Sequence, residues 1–376
     1  MTEPLIGPSA WAGLTGSYLY TAAQAPALTA VVDAVAEAVA AQSRGPAGRE
    51  RLFAIEDEAR WAVGQTVGCD PDRVAFVGDA STAWNLVAGG LSWRPGDNVV
   101  INDLEHPSVT FPFQRLAGHG LEVRVVRHAP DWLIKAADLA AEVDHRTRAI
   151  AISDVSYVNG ARHDLAAIAD VADAAGVPLF VDWSHTLGVL PVDPGRAAIG
   201  ISASYKWSLG PYGVGILVWN HDRLPGFVPG GVGWRSTPDF FTDDRYRMIT
   251  LDPTAGRFRL GAASFAGIAG LTAGLTALQR ISPERVARHA LRLAGLAAAG
   301  LVAAGQRVIT PTAPGRGSGS VAWLHPRPLE LAERLARRGV LVWAGDGRVR
   351  ASFHVMNGER DVAALLAGVA EEEPTR

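Results

Sequence analysis

The sequence predicts an α/β protein with a mostly parallel sheet, followed by a smaller α+β domain. Seven apolar runs of strand length alternate with helical patterns over the first part of the chain. That alternation is typical of a parallel sheet covered by helices. After about residue 257 the pattern changes to long helices and a few short strands. With 376 residues, the chain can bury a large core and form more than one domain.

The predicted elements follow one another along the chain. The strands of the first part are RVAFVG, DNVVIN, LEVRVVR, AIAISDV, PLFVDW, GISAS and VGILVW, with helices such as AAIADVADAAG between several of them. The second part has helices at FAGIAGLTAGLTALQRI and SPERVARHALRLAGLAAAG and strands at SVAWLH and VRASFHV. We therefore expect an N-terminal arm at 1–16, a large domain at 17–256 and a small C-terminal domain at 257–376.

Composition excludes several classes of partner. The formal net charge of -3 gives no electrostatic reason to expect nucleic acid or an anionic membrane surface. The start of the chain lacks a secretory signal pattern, and the apolar stretch at 293–305 is too short to span a bilayer. The single cysteine, Cys69, excludes an intramolecular disulfide and a paired-cysteine metal site. We expect a cytoplasmic protein without a metal site.

Lysine is scarce in this chain. Among 35 basic side chains only Lys135 and Lys206 are lysines. Arginine keeps its proton in proteins, whereas a buried lysine can lose it and become a nucleophile or form an imine. Lys135 fits an exposed position at the start of a helix. Lys206, in SASYKWSLGPYGVG directly after a predicted strand, is therefore the candidate for chemistry.

Other polar side chains also follow predicted strands. Ligands of such sheets bind at the carboxyl ends of the strands, so these positions are the ones to inspect. The turn at 78–81 offers free backbone amides and the Ser81 hydroxyl to an anion at the start of a helix. His106 follows a second strand, and Asp182 and His185 follow a third. Helix capping is the alternative interpretation for the turn, for His106 and for Asp182.

These segments, in this order, resemble those of the class V aminotransferase family of fold type I pyridoxal phosphate enzymes. The family includes cysteine desulfurases, isopenicillin-epimerase-like proteins and kynureninases. The resemblance runs from about residue 17 to about residue 365. It rests on the segments AFVGDASTAWNLVAG, LEHPS, VDWSHTLGVLPVD, GISASYKWSLGPYGVG and VRASFHVMNGERDVAALLAGV.

The resemblance implies pyridoxal 5'-phosphate as the cofactor and a role for each matched residue. Ala80 and Ser81 would hold the phosphate, and His106 would stack on the ring. Asp182 would pair with the pyridine nitrogen, which makes the ring an electron sink. Further expected contacts are His185 near the phenolic oxygen and Lys206 as the imine-forming residue and proton shuttle.

The terminal motif of the family implies that Arg350 binds the α-carboxylate of an amino-acid substrate. Alternation along the strand places Arg348 on the same face as Arg350, so Arg348 is the competing candidate. A guanidinium matches the two oxygens of a carboxylate, which an ammonium does not.

Three positions depart from the pattern of many relatives. Ala203, Ser204 and Tyr205 stand where many relatives have Ser-Gly-His, and the tyrosine hydroxyl can replace a lost hydrogen bond to the phosphate. Tyr157 takes the place of an asparagine that touches the ring oxygen in cysteine desulfurases. GAAS at 261–264 replaces a Gly-Thr-Pro segment, whose threonine reaches the phosphate of the partner subunit.

The resemblance implies a reaction that begins with an external aldimine and removal of the α-proton by Lys206. We expect cleavage of a side-chain bond at the β-carbon, of lyase or kynureninase-like type. An aminotransferase or an epimerase or racemase is the alternative, and a non-catalytic scaffold is a third, against which the retained lysine argues. Persulfide formation on the enzyme is not expected, because Cys69 lies in the large-domain half.

Two further expectations concern aromatic residues and assembly. Tryptophans near the motifs predict an aromatic-walled pocket, with core packing as the alternative; they are Trp84, Trp183, Trp207 and Trp234. Sites of the family lie at subunit interfaces, which implies a homodimer. Trp234 and Arg235 would then reach the neighbouring site, unless they belong to a surface loop of the same subunit.

Overall fold

The computed structural model describes residues 2–370. The helices of this part are α1 (Thr29–Ala41), α2 (Gly45–Val67), α3 (Ala80–Gly90), α4 (Pro107–Gln114), α5 (Ala136–Glu142), α6 (Leu165–Ala175), α7 (Phe265–Gln279), α8 (Pro283–Ala303), α9 (Pro328–Arg337) and α10 (Glu359–Ala370). The strands are β1 (Ser17–Leu19), β2 (Val74–Val77), β3 (Asn98–Asn102), β4 (Glu122–Val126), β5 (Thr147–Ser153), β6 (Leu179–Asp182), β7 (Ile199–Ala203), β8 (Gly215–Trp219), β9 (Arg307–Val308), β10 (Ser320–Leu324), β11 (Val340–Gly345) and β12 (Arg348–Ser352).

The larger sheet has seven strands in the order β2-β8-β7-β6-β5-β3-β4. All of its strands run in one direction except β8, which pairs antiparallel with both of its neighbours. These are the seven strands that the apolar runs predict, so the predicted α/β fold class is confirmed. Their shared direction brings the carboxyl ends of β2, β3, β5, β6 and β7 to the same edge of the sheet.

Helices cover both faces of the central part of this sheet, which explains why its inner strands are mostly apolar. On one face, Ile150 and Ile152 belong to a core cluster that includes residues of α2, α6 and α7. On the other face, Ala149 and Ala151 pack in a second cluster with residues of α3 and α4. The buried strands β3, β6, β7 and β8 fix the positions of the side chains that follow them.

The smaller sheet has five strands in the order β1-β11-β12-β10-β9. Two elements pack differently from the predicted division of the chain. The strand Ser17–Leu19 pairs in parallel with β11 of the smaller sheet, although it lies in the segment assigned to the large domain. Conversely, α7 belongs to the segment assigned to the small domain, but Ile268, Leu271 and Leu275 lie in the core under the larger sheet. Interresidue packing, rather than position along the chain, decides both placements.

The helix α8 is longer than the apolar stretch noted in the sequence. By length and composition alone, its 21 residues could cross a membrane. Leu293, Ala297 and Leu301 on one side of α8 are buried in the core of the smaller sheet. This packing accounts for the apolar character of the helix.

Candidate active site

A cavity of about 250 Å³ opens at the carboxyl edge of the larger sheet. Eight of the nine residues that the sequence analysis singled out for the site line it, namely Ala80, Ser81, His106, Tyr157, Asp182, His185, Tyr205 and Lys206. Segments that are far apart in the sequence therefore meet at one place. The ninth residue, Arg350, does not line the cavity but contacts Tyr157, which does.

Lys206 follows β7 and is 8% exposed. Its Nζ lies 3.1 Å from Nε2 of His185. Burial lowers the pKa of the Lys206 amine to about 8, opposed by the Asp182 carboxylate and assisted by the positive charge of Arg350. The other lysine, Lys135, is exposed on the surface. Lys206 is thus an amine that can be neutral near physiological pH, as a nucleophile must be.

Asp182 is the last residue of β6 and its side chain is fixed by two donors. Trp84 Nε1 donates to Oδ2 at 3.0 Å, and the Ser184 backbone N–H donates to Oδ1 at 2.7 Å. The Ser184 hydroxyl in turn accepts a hydrogen bond from the Ala203 N–H at 3.0 Å, which connects the ends of β6 and β7. Asp182 caps no helix; it presents an oriented carboxylate to the cavity.

His185 is buried beside the amine. Burial and the nearby charge of Lys206 lower the pKa of the His185 ring well below its ordinary value. The ring is therefore neutral at physiological pH. A neutral ring places one hydrogen-bonding nitrogen at the amine without adding a competing positive charge.

His106 is both a helix cap and a wall of the cavity. Its Nδ1 accepts a hydrogen bond from the Ser108 N–H at 3.1 Å, which caps the N-terminus of α4. Its ring also packs edge to face on Tyr157, with 5.0 Å between ring centroids. Burial, followed by the charge of Lys206, lowers the pKa of His106. The capping role anticipated as an alternative therefore exists together with a position in the site.

The N-terminus of α3 provides the expected turn for an anion. Asp79 caps the helix by accepting a hydrogen bond from the Thr82 N–H at 2.6 Å. The hydroxyls of Ser81 and Ser108 lie 2.8 Å apart, so α3 and α4 present them side by side. A Cβ atom at Gly215 in β8 would overlap the Asp79 backbone, so glycine allows this turn to pack directly on the sheet.

Tyr157 links the cavity to Arg350. The guanidinium of Arg350 donates a hydrogen bond to the Tyr157 carbonyl oxygen. Arg350 is 3% exposed, and burial together with the charge of Arg348 lowers its pKa. Among the described residues, no carboxylate lies within ion-pair distance of Arg350. A buried cation without a carboxylate partner is suited to bind an anionic group of a ligand.

Tyr205 lies between this cavity and a second one. Its ring stacks on Tyr212 with 4.1 Å between centroids. The Tyr212 hydroxyl donates to Gln24 Oε1 at 3.0 Å, and both tyrosines also line the adjoining cavity of about 400 Å³. Burial raises the pKa of the Tyr205 hydroxyl, which therefore remains a hydrogen-bond donor at physiological pH.

The tryptophans behave mostly as core residues. Trp84, Trp183 and Trp207 are fully buried and do not line the cavity, although Trp84 orients Asp182. Trp234 is half exposed. Core packing, the alternative interpretation, therefore describes these three tryptophans, and the rings that line the cavity belong to histidines and tyrosines. Arg235 is buried against Glu56 of its own chain, with 2.7 Å between Nη2 and Oε2.

Several residues of the site were not identified from the sequence. Ser108 and Ser153 line the cavity, and Glu105 accepts hydrogen bonds from the Ser153 N–H and hydroxyl at 2.8 and 2.6 Å. Burial raises the pKa of Glu105 to about 7. Ser108 and Glu105 flank His106 within the LEHPS segment, which is the signal that could have identified them. Ser153 is the last residue of β5, and its position at the carboxyl end of a strand could have identified it.

The residues of the cavity fit pyridoxal phosphate, the cofactor expected from the sequence. Amides at the N-terminus of α3 and the Ser81 and Ser108 hydroxyls match the acceptor oxygens of a phosphate. Asp182 matches a protonated pyridine nitrogen, and the neutral form of Lys206 matches an aldehyde. Phosphate contacts would come from amides and hydroxyls, since no lysine or arginine lines this end of the cavity among the described residues.

Comparisons with known proteins find one family that matches most of the chain. The family model described as Aminotransferase class-V matches residues 17–365. A cysteine desulfurase from Pectobacterium atrosepticum is 31% identical over 289 residues, which cover 73% of this chain and 69% of the relative. A probable cysteine desulfurase from Methanothermobacter thermautotrophicus is 30% identical over 238 residues, covering 63% of this chain and 58% of the relative.

A solved structure shows the same fold over nearly the whole chain. The apo cysteine desulfurase from Thermococcus onnurineus superposes with a TM-score of 0.86 at 25% identity, covering 95% of this chain and 94% of that chain. The two sheets and the helices around them therefore have counterparts in that protein.

Proposed function

Since the chain belongs to the aminotransferase class-V family, we propose that it is a pyridoxal phosphate-dependent lyase that cleaves a side-chain bond at the β-carbon of an amino acid. One observation carries the proposal. Lys206 is a buried amine with a pKa of about 8, and Asp182 lies in the same cavity as an oriented carboxylate.

Pyridoxal phosphate, when bound, supplies an aldehyde for the amino group and a ring that accepts the electron pair left at the α-carbon. Lys206 is the residue that moves the proton. Its Nζ lies 3.1 Å from the neutral His185 ring. When the Lys206 amine is neutral, it can take the proton from the α-carbon of the substrate. The low pKa of the amine makes this form accessible.

Asp182 and Arg350 provide opposite charges near Lys206. The Asp182 carboxylate, oriented by Trp84 and Ser184, would stabilise a positive charge on the pyridine nitrogen of the bound cofactor. Arg350 binds the α-carboxylate of the substrate, which supplies the anion that the buried guanidinium lacks within the described chain. Together they orient the bond at the α-carbon relative to Lys206.

The relatives favour a lyase over a transaminase or an epimerase. The relatives compared above are named cysteine desulfurases, which act at the β-carbon to sulfur bond of an amino acid. In this chain the only cysteine precedes β2 at its amino end, whereas the site lies at the carboxyl end of that strand. Burial also raises the pKa of the Cys69 thiol to about 11. We therefore propose that the released group leaves without a persulfide on Cys69.

The proposal is tested by an absorption spectrum of the purified protein with the cofactor, followed by borohydride reduction and peptide mapping. We expect a visible band and a label on Lys206. Lys206→Ala should lose both, while Lys135→Ala, which changes the exposed lysine, should keep them. A label on Lys135 would contradict the assignment. A screen of amino acids, with products identified by mass, then tests whether a β-substituent is released.

We also propose that the protein is a homodimer. The segment at 228–249 exposes large apolar side chains to solvent, including Phe241, Tyr246 and Met248. Apolar surface of this kind is typical of protein interfaces. Trp234 belongs to the same surface, whereas the ion pair of Arg235 with Glu56 keeps Arg235 within its own chain.

A further inference from the structure

Two buried arginines lie side by side on β12. Arg348 and Arg350 are two residues apart in the strand, so their side chains emerge from the same face of the smaller sheet. They are 4% and 3% exposed. Both guanidiniums lie over the ring of Trp343, at 4.8 and 5.1 Å from its centroid. Two like charges are thus held close together away from water.

The charges of this pair are not balanced within the described chain. Arg348 Nη1 lies 3.2 Å from Oδ2 of Asp346, a largely exposed carboxylate on the neighbouring turn. Three buried guanidinium nitrogens donate no hydrogen bond to any described residue; they are Nε and Nη2 of Arg348 and Nε of Arg350. Buried polar groups nearly always have partners, and a buried cation without one is unfavourable. The arrangement is therefore suited to bind anionic groups.

Both arginines contact Tyr157, a residue of the cavity wall. The Arg348 guanidinium lies 5.4 Å from the centroid of the Tyr157 ring, and Arg350 donates to the carbonyl oxygen of Tyr157. The same tyrosine ring packs on His106 inside the cavity. One carboxylate takes up the fork of one guanidinium, so the α-carboxylate at Arg350 leaves the free donors of Arg348 available.

We infer that Arg348 binds a second anionic group, carried by the side chain of the substrate, so that the enzyme acts on amino acids with an acidic side chain. This inference rests on the proposed function, which assigns the α-carboxylate to Arg350. The competing interpretation is structural: Arg348 only holds Tyr157, Trp343 and the turn at Asp346 in place. A second competitor is that Arg348, rather than Arg350, binds the α-carboxylate.

The test compares acids with their amides on the cofactor-loaded protein. L-aspartate, L-glutamate, L-asparagine and L-glutamine are titrated while the visible band is followed. We expect each acid to bind about 10- to 100-fold more tightly than its amide, the effect of one hydrogen bond between charged groups. Arg348→Gln should reduce this ratio to near one. Arg307→Gln, which changes an exposed arginine on β9 of the same sheet, should leave the ratio as in the parent.

Two results would overturn the inference. Equal affinity of acid and amide in the parent would leave Arg348 with a structural role. Equal weakening of both ligands by Arg348→Gln would mean that Arg348 binds the α-carboxylate. If Arg348→Gln does not fold, as judged by circular dichroism, Arg348→Lys replaces it; the ratio should then fall below that of the parent, because an ammonium lacks the planar fork.

A calorimetric titration separates this inference from the proposed function. Succinate and its monoamide, succinamate, carry no amino group and therefore report on anion binding whether or not the protein gives a visible band. We expect succinate to bind at least about tenfold more tightly than succinamate, and Arg348→Gln to abolish the difference. Equal binding by the parent would refute the second anion site. A missing visible band would refute the proposed function alone.

Discussion

At the scale of single residues, the chemistry of the site depends on where a proton is held. Lys206 carries an amine whose pKa burial lowers from 10.5 to about 8, and the charges of Asp182 and Arg350 act on it in opposite directions. At pH 7 this change increases the neutral fraction of the amine. His185 contributes by staying neutral at 3.1 Å from the amine. One of the two lysines in the sequence, Lys206, is therefore buried in the cavity, where its amine can lose a proton.

The lowered pKa of Lys206 predicts how cofactor capture depends on pH. Only the neutral amine attacks an aldehyde, so the rate at which apoprotein captures pyridoxal phosphate should rise with pH and level off above about 8. The rate is measured by borohydride trapping at timed intervals. A midpoint near 10.5 would show an unperturbed amine and contradict the buried environment.

Two variants provide matched controls for this profile. Asp182→Asn removes a charge that raises the pKa of the amine, so its midpoint should move to lower pH. Arg350→Gln removes a charge that lowers this pKa, so its midpoint should move to higher pH. Shifts in the same direction would mean that these residues act through the fold instead of their charges.

At the scale of elements, helix N-termini and strand ends together form the site. The strands β6 and β7 end in Asp182 and, three residues after β7, Lys206, while α3 and α4 begin at the same edge. His106 belongs to both kinds of feature, because it caps α4 and forms part of the cavity wall. Its two roles can be separated by substitution.

His106→Asn and His106→Ala both remove the imidazole ring, but they should differ in the free energy of unfolding. The Asn Oδ1 takes a position similar to that of His Nδ1 and can accept the Ser108 N–H, so the cap on α4 should survive. His106→Ala loses the cap and should lower the free energy of unfolding by about 0.5–2 kcal/mol relative to His106→Asn. Urea unfolding measures the stability, and cofactor titration should show similar weakening in both variants. Equal stability would mean that the cap contributes nothing.

At the scale of the whole molecule, three parts have different functions. They are the larger sheet, the smaller sheet and the exposed apolar side chains of the segment at 228–249. The larger sheet positions the cavity residues, and β12 of the smaller sheet places Arg348 and Arg350 against Tyr157 of the cavity wall. Within the segment at 228–249, the side chains of Phe241, Tyr246 and Met248 are exposed to solvent. Exposure of its aromatic side chains is unfavourable in water, which is the physical basis for the proposed homodimer.

Light scattering tests the homodimer. We expect twice the chain mass of 39.6 kDa at micromolar concentration with cofactor bound. The double variant Phe241→Asp with Met248→Asp places charges on the exposed segment and should shift the mass toward the monomer. Leu329→Asp changes an equally exposed apolar side chain on α9 and should remain dimeric. A monomer mass for the parent would contradict the proposal.

The sequence by itself determined the seven strands of the larger sheet and the residues that follow them. Apolar runs of strand length are local patterns, and the carboxyl ends of parallel strands must meet at one edge, so Asp182, His185 and Lys206 were predictable as neighbours. The turn at 78–81 with Ser81, and His106, follow strands in the same way. The family resemblance added Tyr157, Tyr205 and Arg350, of which the two tyrosines line the cavity.

Only the tertiary structure decided the features that depend on packing between distant segments. The pairing of β1 with β11 and the position of α7 under the larger sheet follow from which apolar faces meet, and no local pattern states this. The same holds for Arg348. Its charge and strand position are visible in the sequence, but its unpaired donors beside Tyr157 result from burial, because the exposed Asp346 carboxylate pairs only with Nη1 of Arg348. A guanidinium becomes suited to bind an anion because burial removes water as the alternative hydrogen-bond partner.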